Sequence, residues 1–171
     1  MLPKISFLII VLFSSAVAFA QANDIDEKTP ATVNGIEYGY YIKNEQTKSV
    51  KDEEYGRFEI TLYVTNKSGC TKLYADRTTL SSSSSESVNL IASFNCTNAN
   101  GKRLTAKSGT VRAREFYVNA KVQENGKDVT KSVKAGYIFR NGETLKTNII
   151  VLVPKGERPV IQFTSNDLME L

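Results

Sequence analysis

The chain contains no histidine, and this absence removes several kinds of catalytic site. Ser-His-Asp and Cys-His nucleophile systems, histidine acid–base catalysis and most zinc sites depend on an imidazole ring. The sequence also has no Gly-x-Ser-x-Gly elbow, no Ser-x-x-Lys pair and no glycine-rich phosphate-binding loop. We therefore expect a protein that is not an enzyme, with no catalytic residue, no metal ion and no cofactor.

Paired carboxylates, as in glycosidases, form the one common catalytic system that this composition still permits. The candidate carboxylates have no spacing that selects two of them, and solvated carboxylates on strands and loops are the simpler interpretation. A carboxylate-dependent glycan-processing enzyme is therefore kept only as an alternative function. The candidates are Asp52, Glu53, Glu54, Glu59 and Glu115.

Cysteine is scarce, and tryptophan is absent. Cys70 and Cys96 are an even pair, and in an oxidising compartment we expect them to form a structural disulfide worth roughly 3 kcal/mol in the loop-entropy model. Two free thiols or a redox-active pair are the alternatives, although the spacing has no CxxC character. The missing tryptophan removes a core residue that is typical of true immunoglobulin domains.

Only one long apolar run is present, at residues 5–13. It is followed by Ala18-Phe19-Ala20, which is typical of a secretory signal peptide cleaved before Gln21. A retained membrane anchor is the alternative, but the run is shorter than the roughly 20 residues needed to span a bilayer. We therefore expect export to the periplasm, a cell surface or the medium. The expected segments are a signal peptide (1–20), a flexible N-terminal arm (21–32) and a single β-sandwich domain (33–171).

Apolar and polar residues alternate along most of the chain after residue 33. A period of two is typical of a β-strand with one buried and one exposed face. We predict an all-β fold, an antiparallel β-sandwich that is immunoglobulin-like in shape, with about seven to nine strands; a β-barrel is the alternative. The sets expected to face inward are Ile36, Tyr38, Tyr40 and Ile42, then alternate residues within 58–64, 88–94, 116–122, 133–139 and 145–153, and a last strand at 160–163.

Four Asn-Gly pairs mark expected turns, at residues 34–35, 100–101, 125–126 and 141–142. Both residue types tolerate the positive φ angles that tight hairpins require. Across Asn141-Gly142 we expect residues 131–140 and 143–153 to pair as a long hairpin, whose edge strand would permit self-association. Five consecutive serines at residues 81–85 are expected to form a surface loop.

The net charge is mild, with 22 basic and 18 acidic residues and a balance of +4. Nucleic-acid-binding proteins usually concentrate Lys and Arg on one face, whereas the basic residues here are scattered, so no nucleic-acid partner is expected. No second apolar stretch approaches spanning length, so we expect no stable membrane insertion of the mature chain. Two glycosylation sequons, at Asn66 and Asn95, matter only if the source is eukaryotic.

Three tyrosines fall on the parity opposite to the apolar sets of their strands: Tyr41, Tyr63 and Tyr117. If those sets face the core, the three rings face solvent, where tyrosine is a common residue of binding surfaces. Arg112 and Arg114 lie near Tyr117 in sequence and would add polar contacts. The alternative is that each ring only stiffens an exposed sheet face.

These features together favour a secreted, non-enzymatic binding module that recognises a protein or glycan partner outside the cytoplasm. The alternative of a different class is a structural subunit of an extracellular or cell-surface assembly.

Overall fold

A computed structural model of the chain describes residues 23–75, 89–102, 104 and 109–166. The predicted signal peptide at 1–20 and the serine run at 81–85 lie outside these residues. Within them, no helix is both long enough and apolar enough to cross a membrane.

The described residues form an all-β structure with eleven strands, so the predicted fold class is confirmed. The expected count of strands was lower because several strands are too short to produce a clear alternation. The strands are β1 (Asn23–Ile25), β2 (Ala31–Val33), β3 (Ile36–Val50), β4 (Glu53–Asn66), β5 (Lys72–Ala75), β6 (Leu90–Thr97), β7 (Gly109–Arg112), β8 (Arg114–Glu124), β9 (Lys127–Phe139), β10 (Thr144–Pro154) and β11 (Val160–Ser165).

The strands form three antiparallel sheets. Sheet A has the order β1-β11-β6-β7, sheet B has the order β10-β4-β3-β2, and sheet C has the order β5-β9-β8. The sheets described here are not closed into a barrel, and the arrangement is that of a β-sandwich.

Aromatic and aliphatic side chains of sheets A and B fill the core. Tyr38 of β3 stacks on Phe163 of β11 with ring centroids 4.4 Å apart. The alternation predicted for β4 is confirmed, because Phe58, Ile60, Leu62 and Val64 are all buried. Sheet C contributes the ends of β5 and β9, including the fully buried Phe139.

The segment expected to be a flexible arm is paired over much of its described part. β1 pairs with β11, and β2 pairs with β3 through the Asn34-Gly35 turn, where both residues have positive φ. Ile25 is buried in the core, which explains why this end of the chain is held in place.

The long hairpin predicted for residues 131–153 is wrong. β9 pairs with β8 and β5, whereas β10 pairs along its whole length with β4. The Asn141-Gly142 turn instead carries the chain from sheet C to sheet B, and only its glycine has positive φ, so it lacks the geometry of a two-residue hairpin turn. The hairpin partner of β9 is β8, closed by Asn125-Gly126, where both residues have positive φ.

A β-bulge divides sheet C into two parts. Phe116 lies opposite Gly136, but the next residue, Tyr117, lies opposite Lys134, so Ala135 is an extra residue in β9. The single alternation expected along 133–139 is therefore interrupted at the bulge. The inward-facing set expected along 116–122 is also wrong, because Val118 is 40% exposed. Beyond the bulge, β8 and β9 extend away from the core.

The side chain of Asn66 joins three segments at one end of the sandwich. It is fully buried, and its amide nitrogen donates to the carbonyl oxygens of Cys70 and Phe139, each at 2.9 Å. Its amide oxygen accepts from the backbone N–H and the hydroxyl of Ser68. A glycan on the same nitrogen would displace these hydrogen bonds, so the folded chain leaves no room for modification of this sequon.

The predicted disulfide is not present: Cys70 is exposed, Cys96 is buried, and both are free. Cys70 follows β4 and its carbonyl accepts a hydrogen bond from Asn66, whereas Cys96 lies on β6 of sheet A, opposite Ile161 of β11. A disulfide requires much closer cysteines. The sequence pattern predicts both strands correctly, but it does not show which strand ends lie together.

We expect Gly109→Ala to lower the free energy of unfolding by about 1–3 kcal/mol, because it overfills the core. A Cβ atom at this position would lie 2.2 Å from Leu62 Cδ1 and 3.3 Å from Ile149 Cγ2. Urea unfolding of the variant checks this, with the neighbouring Thr110→Ala as control. Equal stability of Gly109→Ala and the parent protein would contradict the close packing of β7 on β4.

We expect only Cys70 to react with a thiol reagent in the native protein. Burial raises the pKa of the Cys96 thiol to about 12 and also shields it from the reagent. Mass spectrometry after labelling at mildly alkaline pH, with and without denaturant, measures both cysteines. If neither cysteine is labelled in unreduced, unfolded protein, the two are bridged and the free thiols described here are wrong.

Candidate binding surface

The outer face of sheet B carries two of the three predicted tyrosines. Tyr41 of β3 and Tyr63 of β4 point away from the core because their neighbours Tyr40 and Leu62 are buried. The ring of Tyr41 is 40% exposed, and Tyr63 is half-buried. Strand alternation therefore fixes which side of the sheet the two rings occupy.

Tyr41 and Tyr63 form a tilted aromatic pair, with ring centroids 6.4 Å apart and planes at 39°. They are diagonal neighbours, because Tyr41 lies opposite Thr61 in the register of β3 and β4. Lys146, from β10 on the other side of β4, places its ammonium nitrogen 5.8 Å from the centre of the Tyr41 ring. This distance is within the range of a cation–π contact.

Gly39 creates the space in which the Tyr63 ring lies. The two residues are register partners, and a Cβ atom on Gly39 would lie 2.4 Å from both Cζ and the hydroxyl oxygen of Tyr63. The Tyr63 ring therefore lies across the backbone of β3, and only glycine leaves that position open.

Polar groups surround the tyrosine pair. Burial is the main cause that raises the pKa of the Tyr63 hydroxyl; Glu37 raises it further, and Lys67 partly opposes this. The hydroxyl therefore stays protonated at neutral pH and can both donate and accept hydrogen bonds. Glu37 and Lys67 form an ion pair beside it.

A depression of about 280 Å³ adjoins the tyrosine pair on the same face, between β4 and β10. Thr61, the register partner of Tyr41, lies in its wall and donates a hydrogen bond of 2.8 Å to Asn148. Glu59 and Lys43 supply opposite charges, and Ile150, which is 56% exposed, supplies an apolar surface. We call the tyrosine pair, Lys146 and this depression the sheet B surface.

The other predicted site residues lie elsewhere. Tyr117 is on β8 of sheet C, is 51% exposed, and donates to Glu115 at 2.7 Å. Arg112 on β7 donates to Asn89 at 2.9 Å, and Arg114 forms an ion pair with Glu143 at 2.8 Å. The structure thus brings Tyr41 and Tyr63 together, but places Tyr117 and the two arginines outside that cluster.

Sequence reasoning missed Gly39, Lys146 and Asn148, which complete the sheet B surface. An isolated glycine within a strand pattern signals a close approach of another group, so Gly39 had a detectable signal. Lys146 and Asn148 had none, because they join the tyrosines only through the pairing of β10 with β4.

A second concave region lies at the far end of sheet B. It is a cleft of about 660 Å³ between β3, β4 and the turn that follows β10. One carboxylate oxygen of Glu157 is buried there and has no hydrogen-bond partner among the described residues. A water molecule or a ligand group that donates a hydrogen bond would satisfy it.

Four of the five carboxylates considered for catalysis are engaged by neighbouring groups, including Glu115, which pairs with Lys134 at 3.2 Å. Glu59 pairs with Arg57 at 2.7 Å, Glu54 pairs with Lys155, and Glu53 accepts a hydrogen bond from Tyr55. Within the described ranges, no group of three or more Cys, Asp or Glu residues is placed to hold a metal ion.

Comparisons with known proteins add no family assignment. No protein-family model matches the chain, and no curated protein or solved structure is significantly similar to it. Any function must therefore be argued from the residues themselves.

We expect Gly39→Ala to move the Tyr63 ring and to disturb its contact with Tyr41. The ring end can swing outward, so the loss of stability should stay below about 1.5 kcal/mol. NMR of protein labelled with fluorotyrosine measures the ring environments, and thermal unfolding measures the stability. Unchanged Tyr41 and Tyr63 resonances would show that the ring does not lie on Gly39.

Proposed function

We propose that this protein is a secreted, non-enzymatic binding module that recognises a glycan or protein partner through the sheet B surface. The observation that carries the proposal is the exposed Tyr41–Tyr63 pair with Lys146 beside it. Tyrosine offers a flat, rigid surface that loses little conformational entropy on binding.

The proposed recognition uses stacking and hydrogen bonding together. The rings offer apolar faces, while Thr61, Asn148 and Glu59 line the neighbouring depression with hydroxyl, amide and carboxylate groups. A sugar ring has the same combination of apolar C–H faces and hydroxyl edges. Because the depression is small and combines hydroxyl, amide and carboxylate groups with an apolar wall, these features favour a glycan over a protein partner.

The site of action is part of the proposal. The apolar run at 5–13 and Ala18-Phe19-Ala20 support export, and the lack of histidine supports a non-enzymatic role. Two free cysteines are unusual in an oxidising compartment, so the fold must be stable there without a disulfide.

A structural subunit of an extracellular or cell-surface assembly is the second candidate function. It is favoured by β8 and β9 of sheet C, which extend beyond the core as an exposed hairpin with open strand edges. The carboxylate-dependent enzyme is less favoured, since four of its five candidate carboxylates lie in ion pairs or hydrogen bonds.

We expect the double substitution Tyr41→Ala and Tyr63→Ala to weaken binding by about tenfold or more, equivalent to about 1.4 kcal/mol. The mature domain, residues 21–171, is first screened on a glycan array and against envelope and secreted extracts. Affinity for the ligand found is then measured by calorimetry. Tyr55→Ala is the matched control, because Tyr55 has the same outward parity on β4 at the distant end of the strand.

Equal losses in the double variant and in Tyr55→Ala would contradict the proposed surface. If Tyr117→Ala weakened binding and the double substitution did not, the binding surface would lie on sheet C instead. Release of a product from any glycan would overturn the non-enzymatic assignment.

A further inference from the structure

Beyond the bulge at Ala135, β8 and β9 continue as a two-stranded ribbon, which we define as residues 117–134. β5 flanks β9 only along 136–139, so within the described chain the ribbon has two open edges. The ribbon residues of β9 from 127 to 133 are all exposed. Two strands alone are only marginally stable in water, whereas three or more strands with an apolar face are stable.

One face of the ribbon carries several valines that are exposed. Val118, Val129 and Val133 are 40%, 36% and 41% exposed, and all three lie on the same side because Val118 pairs with Val133 and Val122 pairs with Val129. β-branched residues in register favour an extended sheet. Lys127, Lys131 and Glu124 lie on the same face, so the valines form an exposed apolar patch beside charged side chains, at a position where only two strands are present.

The two open edges differ in charge. β9 carries Lys127, Lys131 and Lys134 against the single carboxylate of Asp128 within the ribbon. Lysines on an edge strand are a common device that prevents pairing with another chain. Two β9 edges would bring like charges together, so this edge is protected against self-association.

The β8 edge is balanced instead. It carries Arg114 and Lys121 against Glu115 and Glu124. Arg114 and Glu124 lie at opposite ends of the strand, so two antiparallel copies with full overlap bring each arginine to the glutamate of the other copy. Both side chains keep more than half of their surface exposed, although each already has one ion-pair partner in its own chain.

The residues between these ends are also self-complementary. Full antiparallel overlap of two β8 strands centres on Asn119, and residues whose numbers are equally far from 119 lie opposite each other. The resulting cross-strand pairs are Arg114 with Glu124, Phe116 with Val122, Tyr117 with Lys121, and Val118 with Ala120. Opposite charges, apolar pairs and a cation–aromatic pair in these positions each stabilise a sheet.

The backbone of β8 is compatible with this register. The two-residue turn at Asn125-Gly126 makes Glu124 and Lys127 the hydrogen-bonded closing pair, and hydrogen-bonded pairs then alternate along the hairpin. Tyr117, Asn119 and Lys121 therefore direct their N–H and C=O groups to the open edge. In the register centred on Asn119, these residues face one another as hydrogen-bonding pairs.

We propose that two copies of this chain associate through their β8 edges, in antiparallel register about a two-fold axis at Asn119. The two ribbons then form one continuous four-stranded sheet. The interface uses neither Tyr41 nor Tyr63, so it is independent of the proposed binding function and leaves the sheet B surface open in both copies.

Analytical ultracentrifugation of the mature protein over about 1 µM to 1 mM tests this association. We expect a reversible monomer–dimer equilibrium in the parent protein, and at least a tenfold higher dissociation constant for Asn119→Pro. Proline removes the N–H that faces the open edge of β8 but leaves the β8–β9 hydrogen bonds intact. Ser132→Pro is the matched control, because Ser132 is the register partner of Asn119 on the β9 edge.

A charge exchange tests the register. Arg114→Glu and Glu124→Arg should each weaken the homodimer, because like charges then face each other at both ends. An equimolar mixture of the two variants should form a heterodimer, because each end again joins opposite charges. This comparison is insensitive to a loss of stability in either variant, provided that circular dichroism shows both to be folded.

A monomer at every concentration would overturn the proposal. Dimers that survive Asn119→Pro but not Ser132→Pro would place the interface on β9 and overturn it also. Oligomers that grow without limit would indicate head-to-tail pairing rather than the two-fold dimer. Failure of the mixed variants to associate, with the parent dimer intact, would overturn the register centred on Asn119.

Discussion

The buried amide of Asn66 is the interaction on which the arrangement of sheets B and C depends. Its nitrogen binds carbonyl groups at the end of β9 and in the loop before β5, and its backbone pairs with the chain that enters β10. Each of these carbonyls would cost roughly 1–3 kcal/mol if it were buried without a partner. Because one side chain satisfies both carbonyls, sheet C is fixed beside sheet B rather than continuing into it. The turn at Asn141-Gly142 can then pass the chain between the sheets.

The sequence was sufficient to predict which side chains face inward where a strand is buried on one face. The alternation of β4 and β10 agrees with the structure, because burial of every second residue is a local property. In β6 it holds only from Ala92 onward, since a register shift before Ala92 buries Ile91 instead of Leu90. Strand partners are not local: β10 pairs with β4, whose paired residues precede it by 79 to 99 positions, rather than with its neighbour β9. The predicted hairpin and the predicted disulfide failed for this one reason, since each assumed which segments lie together. The prediction that the valines of β8 face inward failed for a different reason, because alternation cannot distinguish a buried strand from an exposed ribbon.

The candidate site shows the same difference between local properties, which the sequence predicts, and strand pairing, which it does not. Parity was enough to predict that Tyr41 and Tyr63 point outward, but their neighbours depend on sheet order. Tyr117 is exposed for another reason, because both faces of its strand are exposed beyond the bulge. β3 and β4 are joined by a tight turn and pair directly, so their two tyrosines meet, whereas β8 belongs to another sheet. An aromatic pair that only stiffened the sheet would need neither a bare glycine beneath one ring nor an exposed second ring. Glycine at position 39 weakens the strand, and the space that it leaves for the Tyr63 ring explains its presence there.

The extra residue at Ala135 determines how sheet C tolerates changes in chain length. Side chains alternate with a period of two, so the bulge exchanges the two faces of β9 between its buried end and the ribbon. Deleting this one residue would turn the distal valines to the opposite side relative to Tyr137, while the same deletion within the Asn125-Gly126 tip would disturb only the closure of the hairpin. The base and the tip of the hairpin therefore differ greatly in how well they tolerate the insertion or deletion of one residue. Lineages of this protein should therefore vary in length at the tip of the hairpin and keep a constant length at its base.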